Sequence, residues 1–594
     1  MELYELEESE IDLDYARLLD VHVWSDYPEV NSFINKIHDQ YLGSEFRQDR
    51  SKRQLKVLLL SLYVNWITDP CLLTAYSRTL SDYRKGTRYN KLHITRTVID
   101  ISDRLIEVGL LNLKLGYPGS DDWRGKNSKI WPTRLLVEEF KKAKFNRFYI
   151  GSDISGRSLR GYSYATKRPT YECLILRDEK KNDLEYLETK TTEKIRKVIE
   201  DYRNLMKFHH VSLSNADRNY IEVYQEKTGL EGLGFDPLTG KLKYQAAEDV
   251  KPRASKGIQR LSLNHNPQIR RIFNNSSWRQ GGRWYGGFWQ NIPSAYRRFI
   301  RINNQRTIEI DYSALHPVLM YAKVGINYWL KFGFRSDPYD LEADLDRTLG
   351  PKAKGTRVTI RDNLNDYSPD WERHLIKLLV LVATNAKSEK AAFAAVKYEL
   401  SERSEKQYNL RYTKLTNQLL KGYLEAVKLK HDPIASYFGA NKSHDLMYQD
   451  SQITERIIKK FIDIGAPILC IHDSYIVQED YQIDLLDLMR ETWSELSGLP
   501  EDKLREDLWG EKFPAYVKVK QLGYVDELFD HEEEGGGKEH QEIMSIKENE
   551  YVSKRHLEDW KIFKDVMKEP SITEERRSLT NINEQEYQMI LNGH

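Results

Sequence analysis

Residues 308–316 read IEIDYSALH and residues 469–475 read LCIHDSY, and these two stretches decide the fold. In each stretch, an apolar run rich in β-branched residues ends at an acid, Asp311 in the first and Asp473 in the second. The first pattern predicts a strand that ends in a carboxylate. The second pattern predicts a tight hairpin with a carboxylate at its tip.

Between the two acids lies a strongly helical stretch that carries Arg373 and Lys377, four residues apart. That spacing puts both cations on one face of a helix. Two carboxylates can hold a pair of Mg²⁺ ions, and two helical cations can hold a triphosphate, which is what two-metal nucleotidyl transfer requires. The pattern therefore predicts a nucleic acid polymerase.

The composition is that of a soluble protein with more than one domain. The chain has 594 residues, of which 40% are hydrophobic and 30% are charged. It contains no apolar run of about 18 residues, and it opens without the basic and apolar regions of a signal peptide. We therefore expect a cytoplasmic protein that does not bind membranes. The three cysteines lie far apart in sequence, which favours neither a disulfide framework nor a four-cysteine zinc ribbon.

The charge is balanced in total but uneven along the chain. Lysine and arginine number 91, and aspartate and glutamate number 90. Basic residues interleaved with aromatic residues gather between positions 250 and 310. That mixture suits a nucleic-acid groove, where cations contact phosphates and rings stack on bases. Solvated surfaces above an ordinary aromatic core explain it equally well, so both interpretations stay open.

Residues 51–145 have the pattern of a winged helix. An apolar helix at 55–67 precedes a second helix with apolar residues at spacings of three and four. Two short strands then flank a polar loop at 116–128. This order resembles the winged helix of plasmid and phage replication initiators, and related proteins place the second helix in the major groove of DNA. A winged helix that contacts only protein is the alternative.

Two more helices are expected outside these regions. The helix at 192–208 carries basic residues beside an apolar stripe and fits a thumb or any exposed helix. The acidic run and glycines that end at 537 predict a flexible linker. Residues 553–568 then predict an amphipathic helix with four large apolar residues on one side, Leu557, Trp560, Phe563 and Met567. Such a helix docks either on a partner, here a small accessory protein or a helicase, or on its own domain.

Residues 265–525 resemble the family A polymerases, the DNA polymerase I-like group. Four motifs of that family occur here in the family's order, and the order carries the resemblance because each motif alone is unspecific. They are Arg283 followed by QNIP at 290–293, motif A as DYSAL at 311–315, motif B with Arg373 and Lys377, and motif C with His472 and Asp473. Gln449 matches a further family segment more loosely. Ser474 makes motif C closer to the form found in phage single-subunit RNA polymerases.

The resemblance implies a role for each matching residue. Asp311 and Asp473 would bind two Mg²⁺ ions, for which Mn²⁺ can substitute, and Lys377 would act with them in catalysis. The residues implied to bind the incoming nucleotide are Arg373, His316, Tyr312, Leu381 and Asn385. The residues implied to bind nucleic acid are Arg283, Gln290, Asn291, Gln449 and His472. The implied partners are a DNA template with its primer and nucleoside triphosphates.

The sequence also departs from the family. His316 stands where the DNA polymerases carry a glutamate that blocks the ribose 2′-hydroxyl, and Leu381 and Asn385 stand where aromatic residues are usual. These departures imply looser or differently built selection of the sugar. The chain before Arg283 is too short for the family's proofreading exonuclease beside the other expected domains.

We therefore expect an α+β fold, a right-hand polymerase with palm, fingers and thumb, an N-terminal winged-helix domain and a flexible C-terminal tail. The expected parts are an acidic leader at 1–50, the winged-helix-like DNA-binding domain at 51–145, connector and thumb at 146–265, palm and fingers at 266–530, and linker with partner-docking tail at 531–594. The expected function is DNA-directed DNA polymerase of a mobile genetic element, with primase activity as an extension. A single-subunit RNA polymerase and a non-catalytic replication initiator or scaffold are the alternatives.

Overall fold

The computed structural model describes residues 3–6, 10–13, 15–46, 49–79, 83, 87–117, 126–145, 150, 171–218, 220–226, 229–232, 258–263, 269–333, 336–363, 371–403, 415–497, 517–520, 551–568 and 570–592. These residues form a mixed α+β structure, as the sequence predicted. None of the helices in these ranges is long and apolar enough to cross a membrane.

In its described residues, the N-terminal unit has a four-stranded sheet and four α-helices. Its elements are β1 (Ala16–Leu18), α1 (Pro28–Ile37), α2 (Asp49–Thr68), β2 (Leu73–Tyr76), α3 (Thr97–Glu107), β3 (Leu111–Lys114), β4 (Ser128–Pro132) and α4 (Arg134–Lys141). The strand order is β1-β2-β4-β3, with β1 parallel to β2 and the β3–β4 hairpin antiparallel. The two helices and the hairpin expected in this region are confirmed. The tip of the hairpin, residues 118–125, lies outside the described residues.

The expected boundary at residue 50 is wrong. Val30, Phe33 and Ile37 of α1 lie in the same apolar core as Leu58 and Leu62 of α2. Strand β1 needs β2 for its backbone hydrogen bonds, and α1 needs a neighbour to cover its apolar face. Residues 16–37 of the expected acidic leader are therefore part of the N-terminal unit.

The next elements include a helix, the strands of two small sheets and one strand of the larger central sheet. They are β5 (Leu174–Leu176), α5 (Lys190–Lys207), β6 (Val211–Leu213), β7 (Tyr220–Glu226), β8 (Gly229–Gly232), β9 (Ile258–Ser262), β10 (Arg270–Phe273) and β11 (Gly281–Tyr285). One sheet has the order β8-β7-β9, and the other has the order β11-β10-β5.

The large central unit follows. Its elements are α6 (Ser294–Arg297), β12 (Ile300–Ile302), β13 (Gln305–Tyr312), α7 (Leu315–Lys323), α8 (Tyr328–Phe332), α9 (Glu342–Thr348), α10 (Pro351–Asn363), α11 (Trp371–Asn385), α12 (Glu389–Arg403), α13 (Asn417–Lys430), α14 (Ser443–Ile464), β14 (Leu469–Ile471), β15 (Ser474–Gln478), α15 (Gln482–Ser497) and β16 (Val517–Lys520). The central sheet runs β14-β15-β13-β12-β6, and β16 also pairs with β13.

The expected boundary at residue 265 is also wrong. Strand β5 pairs with β10, and β6 pairs with β12, so both belong to sheets completed after that position. The hydroxyl of Tyr202 on α5 donates a hydrogen bond to the Ile468 carbonyl at 2.5 Å. Helix α5, expected as part of a thumb, therefore packs into the central core.

The C-terminal segment consists of α16 (Lys554–Met567), α17 (Pro570–Leu579) and α18 (Glu584–Asn592). The amphipathic helix predicted at 553–568 is confirmed, and Ser553 caps it by accepting a hydrogen bond from the backbone N–H of His556 at 3.1 Å. Trp560, Phe563 and Met567 are buried in one cluster with Phe208. Three of the four residues expected to dock on a partner are thus covered by this chain itself, whereas Leu557 is exposed. The glycine-rich linker expected before it lies outside the described residues.

Candidate functional site

The backbones that carry the two predicted carboxylates lie side by side at the end of β13, where the Tyr312 N–H donates to the Asp473 carbonyl at 3.2 Å. Asp311 lies opposite Ser474 in the antiparallel ladder between β13 and β15. Ile471 pairs with Ser474, which leaves His472 and Asp473 as a two-residue hairpin tip. His472 adopts a φ of +59°, the left-handed conformation that such tight hairpins require. The strand that ends in an acid and the hairpin with an acid at its tip are both confirmed.

The alternation of side chains along β13 separates the site from the core. Ile308, Ile310 and Tyr312 are buried in the apolar core on one face, and Asp311 lies on the other face. The Tyr312 hydroxyl donates to the Met489 carbonyl at 2.6 Å. The Tyr312 side chain is therefore a core residue, and its expected role as a nucleotide ligand is corrected.

Helix α14 brings a third carboxylate, Asp450, that the sequence analysis did not select. Asp450 Oδ2 accepts a hydrogen bond from Arg283 Nε at 2.7 Å, and His316 Nε2 lies 3.8 Å from the same oxygen. His316 Nε2 is also 3.2 Å from an Arg283 nitrogen. The signal for Asp450 was an acid on the apolar stripe of a helix, four residues after Leu446 and three before Ile453, both buried.

The surroundings of this cluster shift the pKa values of Asp450, which is buried, and Asp473, which is half-buried, in opposite directions. Burial opposes ionisation of Asp450, but the charges and hydrogen bonds of Arg283 and His316 outweigh it and lower its pKa. Burial raises the pKa of Asp473, and the negative charge of Asp450 raises it further, against partial relief from His316 and Arg283. A bound cation would therefore favour the charged form of Asp473.

His472, expected to contact nucleic acid, is half-buried beside the ring of Tyr285, with the ring centres 5.9 Å apart. Burial first, and then the charge of Arg283, lower the pKa of His472 to about 4. The imidazole is therefore neutral at pH 7. Its Nδ1 atom is buried and has no hydrogen-bond partner within the described ranges.

Gln290 does not face a template. Its amide nitrogen donates to the carbonyls of Trp284 and Cys470 at 3.1 and 2.9 Å, and its oxygen accepts from the Gly286 N–H at 3.0 Å. Through these bonds the Gln290 amide connects the end of β11 to β14. The expected contact between Gln290 and nucleic acid is therefore wrong. Asn291 is exposed, and its contact with nucleic acid stays a prediction.

Of the four aromatic residues around β11, three belong to the core. Trp284, Phe288 and Trp289 are buried, whereas Tyr285 is half-buried at the site. The sequence predicted stacking on bases or core packing for this group. Of these four residues, Tyr285 is therefore the one that could still stack on a base.

Helix α11 carries Arg373 and Lys377 as predicted, and both side chains are exposed. Arg373 donates to Asp337, and its guanidinium lies 5.5 Å from the ring centre of Tyr339. Burial, the charge of Asp337 and the charge of Asp473 raise the pKa of Tyr339, while Arg373 opposes the shift. Tyr339 therefore lies within electrostatic reach of both Arg373 and Asp473.

The remaining predicted positions lie farther along α11 and on α14. Leu381 is 45% exposed. The Asn385 amide donates to the Leu381 carbonyl at 2.8 Å, so one donor is used within its own helix. Gln449 precedes Asp450 and is half-buried, with its amide oxygen buried.

The donor set of the site suits a hard cation. Among the described residues, no group of three or more histidine, cysteine, aspartate or glutamate side chains could hold a metal ion by itself. Mg²⁺ is commonly bound through one or two carboxylates, with substrate phosphates and water completing its shell. Asp311 and Asp473 could supply such oxygens, and the charged form of Asp473, which burial and Asp450 disfavour, would gain from a cation.

No protein-family model matches the chain, and no curated protein matches it. What the site does therefore has to be inferred from its geometry and its chemistry.

Proposed function

We propose that this protein is a template-directed nucleic acid polymerase with a family A-like palm and fingers. The observation that carries the proposal is the pairing of Asp311 with Ser474, which puts Asp311 beside the hairpin tip that bears Asp473. Two carboxylates on neighbouring strand ends, with exposed cations on a helix of the same unit, suit the chemistry of phosphoryl transfer. In this proposal β13 and β15 belong to the palm and α11 belongs to the fingers.

Each residue has a defined role in the proposal. Asp311 and Asp473 would hold Mg²⁺ ions, with Mn²⁺ as a substitute. Bound there, the ions would activate the attacking hydroxyl and neutralise the triphosphate. Lys377 and Arg373 would bind the phosphates of the incoming nucleotide. Arg283, fixed by Asp450, would contact the nucleic acid strand near its growing end.

The N-terminal unit would bind DNA, and the enzyme would copy DNA for a mobile genetic element, with priming as a further activity. The hairpin of β3 and β4 supports DNA contact, because a hairpin beside a helix is the form of a winged helix. Exposed Lys114 and Lys126 lie on either side of its tip.

A non-catalytic scaffold is the weaker alternative. Burial and the nearby charge of Asp450 make the charged form of Asp473 costly. Perturbed carboxylates of this kind occur more often at functional sites, where catalysis uses a shifted pKa. A single-subunit RNA polymerase is the stronger alternative, since His316 stands at the sugar-selecting position.

The experiment that tests the proposal offers primed and unprimed templates to the full chain with Mg²⁺, and supplies deoxyribonucleotides and ribonucleotides separately. Extension of a primer by template-complementary nucleotides is the expected result. Products on the unprimed template would show priming. Failure to incorporate either nucleotide class on both templates would contradict the proposal.

A further inference from the structure

Two acceptor atoms on adjacent residues of α14 have no hydrogen-bond partner in the part of the chain that the structure describes. They are Gln449 Oε1 and Asp450 Oδ1, and both atoms are buried. A buried acceptor without a donor costs about 1–3 kcal/mol, and more when it is charged. Native proteins leave few such atoms, and those they keep call for an explanation at a functional site.

The surroundings of Asp450 define the missing partner. The other oxygen of Asp450 is occupied by Arg283, and the side chain is only 1% exposed. An ionised carboxylate oxygen accepts hydrogen bonds and donates none, so a hydrogen-bond partner for Asp450 Oδ1 has to be a donor. On the sugar of a nucleotide, a hydroxyl is the group that can donate.

The location of Asp450 identifies which hydroxyl. His316 and Arg283 both lie beside Asp450. In the proposed function, on which this inference rests, His316 stands at the sugar of the nucleotide and Arg283 stands at the growing end of the strand. We propose that Asp450 accepts a hydrogen bond from a ribose hydroxyl, so that the site selects ribose over deoxyribose by recognition and not merely by tolerance.

This recognition differs in kind from the loss of a steric barrier. A pocket that only lacks a barrier accepts both sugars. A site built to hydrogen-bond a hydroxyl rejects the analogue that lacks it, by as much as about 10⁴-fold to 10⁵-fold, because the buried acceptor is then left unpaired. The ribose can belong to the incoming nucleotide or to the end of a ribonucleotide primer, and both present the same donor.

A series of substrates with the wild-type chain separates these cases. In the first arm, a DNA primer is extended with ribonucleotides, 2′-fluoro-2′-deoxyribonucleotides or deoxyribonucleotides. In the second arm, deoxyribonucleotides are added to primers that end in ribose, 2′-fluoro-2′-deoxyribose or deoxyribose. Fluorine resembles a hydroxyl in size but donates no hydrogen bond. We expect the 2′-fluoro compound, at the incoming nucleotide or the primer end, to lose at least about tenfold in kcat/KM against ribose. Equal use of the 2′-fluoro compound and ribose at both places would overturn the inference.

A variant pair tests the residue itself. Asp450→Asn keeps an acceptor for Arg283 but replaces the charged free oxygen by an amide. The matched control is Glu455→Gln on the same helix, since Glu455 also pairs with a buried arginine, Arg271, and gives its second oxygen to Lys459. We expect Asp450→Asn to lower the ribose-to-deoxyribose ratio of kcat/KM by about tenfold, and Glu455→Gln to leave that ratio unchanged.

The outcomes are distinguishable. If Asp450→Asn lowers both activities in proportion, Asp450 only positions Arg283 and the inference is overturned, while the proposed polymerase function stands. If the wild-type chain incorporates no nucleotide of any class, the proposed function is overturned and the inference with it. If Asp450→Asn does not fold, the substrate series with the wild-type chain still decides the question.

Discussion

Asp311 and Ser474 are directly paired across β13 and β15, and the Ser474 hydroxyl donates to Glu309 Oε1 at 2.6 Å. Arg297 donates to the same Glu309 oxygen at 3.0 Å. The hairpin that bears Asp473 is thus joined to the strand that bears Asp311 by backbone and side-chain bonds. This arrangement fixes the relative position of the two carboxylates before any ligand binds, which a catalytic site needs.

Asp473→Asn should stabilise the protein at neutral pH when divalent ions are chelated. The pKa of Asp473 is raised in the folded protein, so the folded state binds its proton more tightly than the unfolded state does. The folded protein therefore loses stability as pH rises through that pKa and Asp473 ionises. Asparagine does not ionise, so the variant does not lose this stability. A gain of about 1 kcal/mol raises the Tm of a domain of 150–250 residues by roughly 2–4 °C.

Thermal unfolding from pH 4 to pH 8 checks this prediction, and the gain should shrink toward acid pH. Adding Mg²⁺ should raise the Tm of the wild type more than that of Asp473→Asn, because the ion binds the folded carboxylates. The exposed Asp463→Asn on α14 is the control and should change neither value. A lower Tm for Asp473→Asn at neutral pH without metal would contradict the assignment of Asp473 as a destabilised carboxylate.

Phe563→Ala should destabilise the protein strongly, although it lies in the segment first expected to be a partner-docking tail. Phe563 is 2% exposed and packs in one cluster with Phe208, so its removal should cost about 3–5 kcal/mol. Leu557, on the same helix and 50% exposed, is the matched control, and Leu557→Ala should stay within about 0.5 kcal/mol. Urea unfolding measures both. Two equally small effects would mean that the segment does not stay docked.

His316→Glu should shift sugar preference toward deoxyribonucleotides. A glutamate there would compete with Asp450 for Arg283 and would place a carboxylate against the sugar. The expected change in the ratio of kcat/KM values is about 10–200-fold, the range of one unfavourable contact. His316→Gln is the control of similar size. An unchanged ratio in single-nucleotide incorporation would show that another residue selects the sugar.

The double variant Lys114→Ala with Lys126→Ala tests the N-terminal unit. If these exposed lysines bind phosphates, removing them should make DNA binding less sensitive to salt. The slope of the logarithm of the binding constant against the logarithm of salt concentration should flatten by about 0.9 for each phosphate of duplex DNA that is no longer neutralised. The matched control replaces Lys554 and Lys561, exposed on α16. Fluorescence anisotropy with labelled template measures the slope. No change in the double variant would leave the β3–β4 hairpin as a protein-contact element.

The sequence predicted those features that local patterns determine. The apolar runs before Asp311 and Asp473 specified a strand and a hairpin, since β-branched residues and the tight turn favour them locally. The spacing of Arg373 and Lys377 placed both on one helix. The amphipathic pattern at 553–568 predicted that helix and its buried face.

Features that depend on contacts between distant residues were not predictable. Asp450 became a site residue because α14 packs beside β11, which carries Arg283. Gln290 does not belong to the site because Cys470, 180 residues later, accepts its amide hydrogen bond. The boundaries near residues 50 and 265 failed for the same reason, because strand pairing crosses them.

The most direct test of the central claim is primer extension by Asp311→Asn and Asp473→Asn beside Asp463→Asn and the wild type. Two-metal stabilisation contributes several kcal/mol to the barrier, and each 1.36 kcal/mol is tenfold in rate. We predict that each of the first two variants loses about a thousandfold or more in rate but keeps template binding, whereas Asp463→Asn extends primers like the wild type. Near-normal incorporation by Asp311→Asn or Asp473→Asn, or no template-directed incorporation by the wild type, would contradict the account.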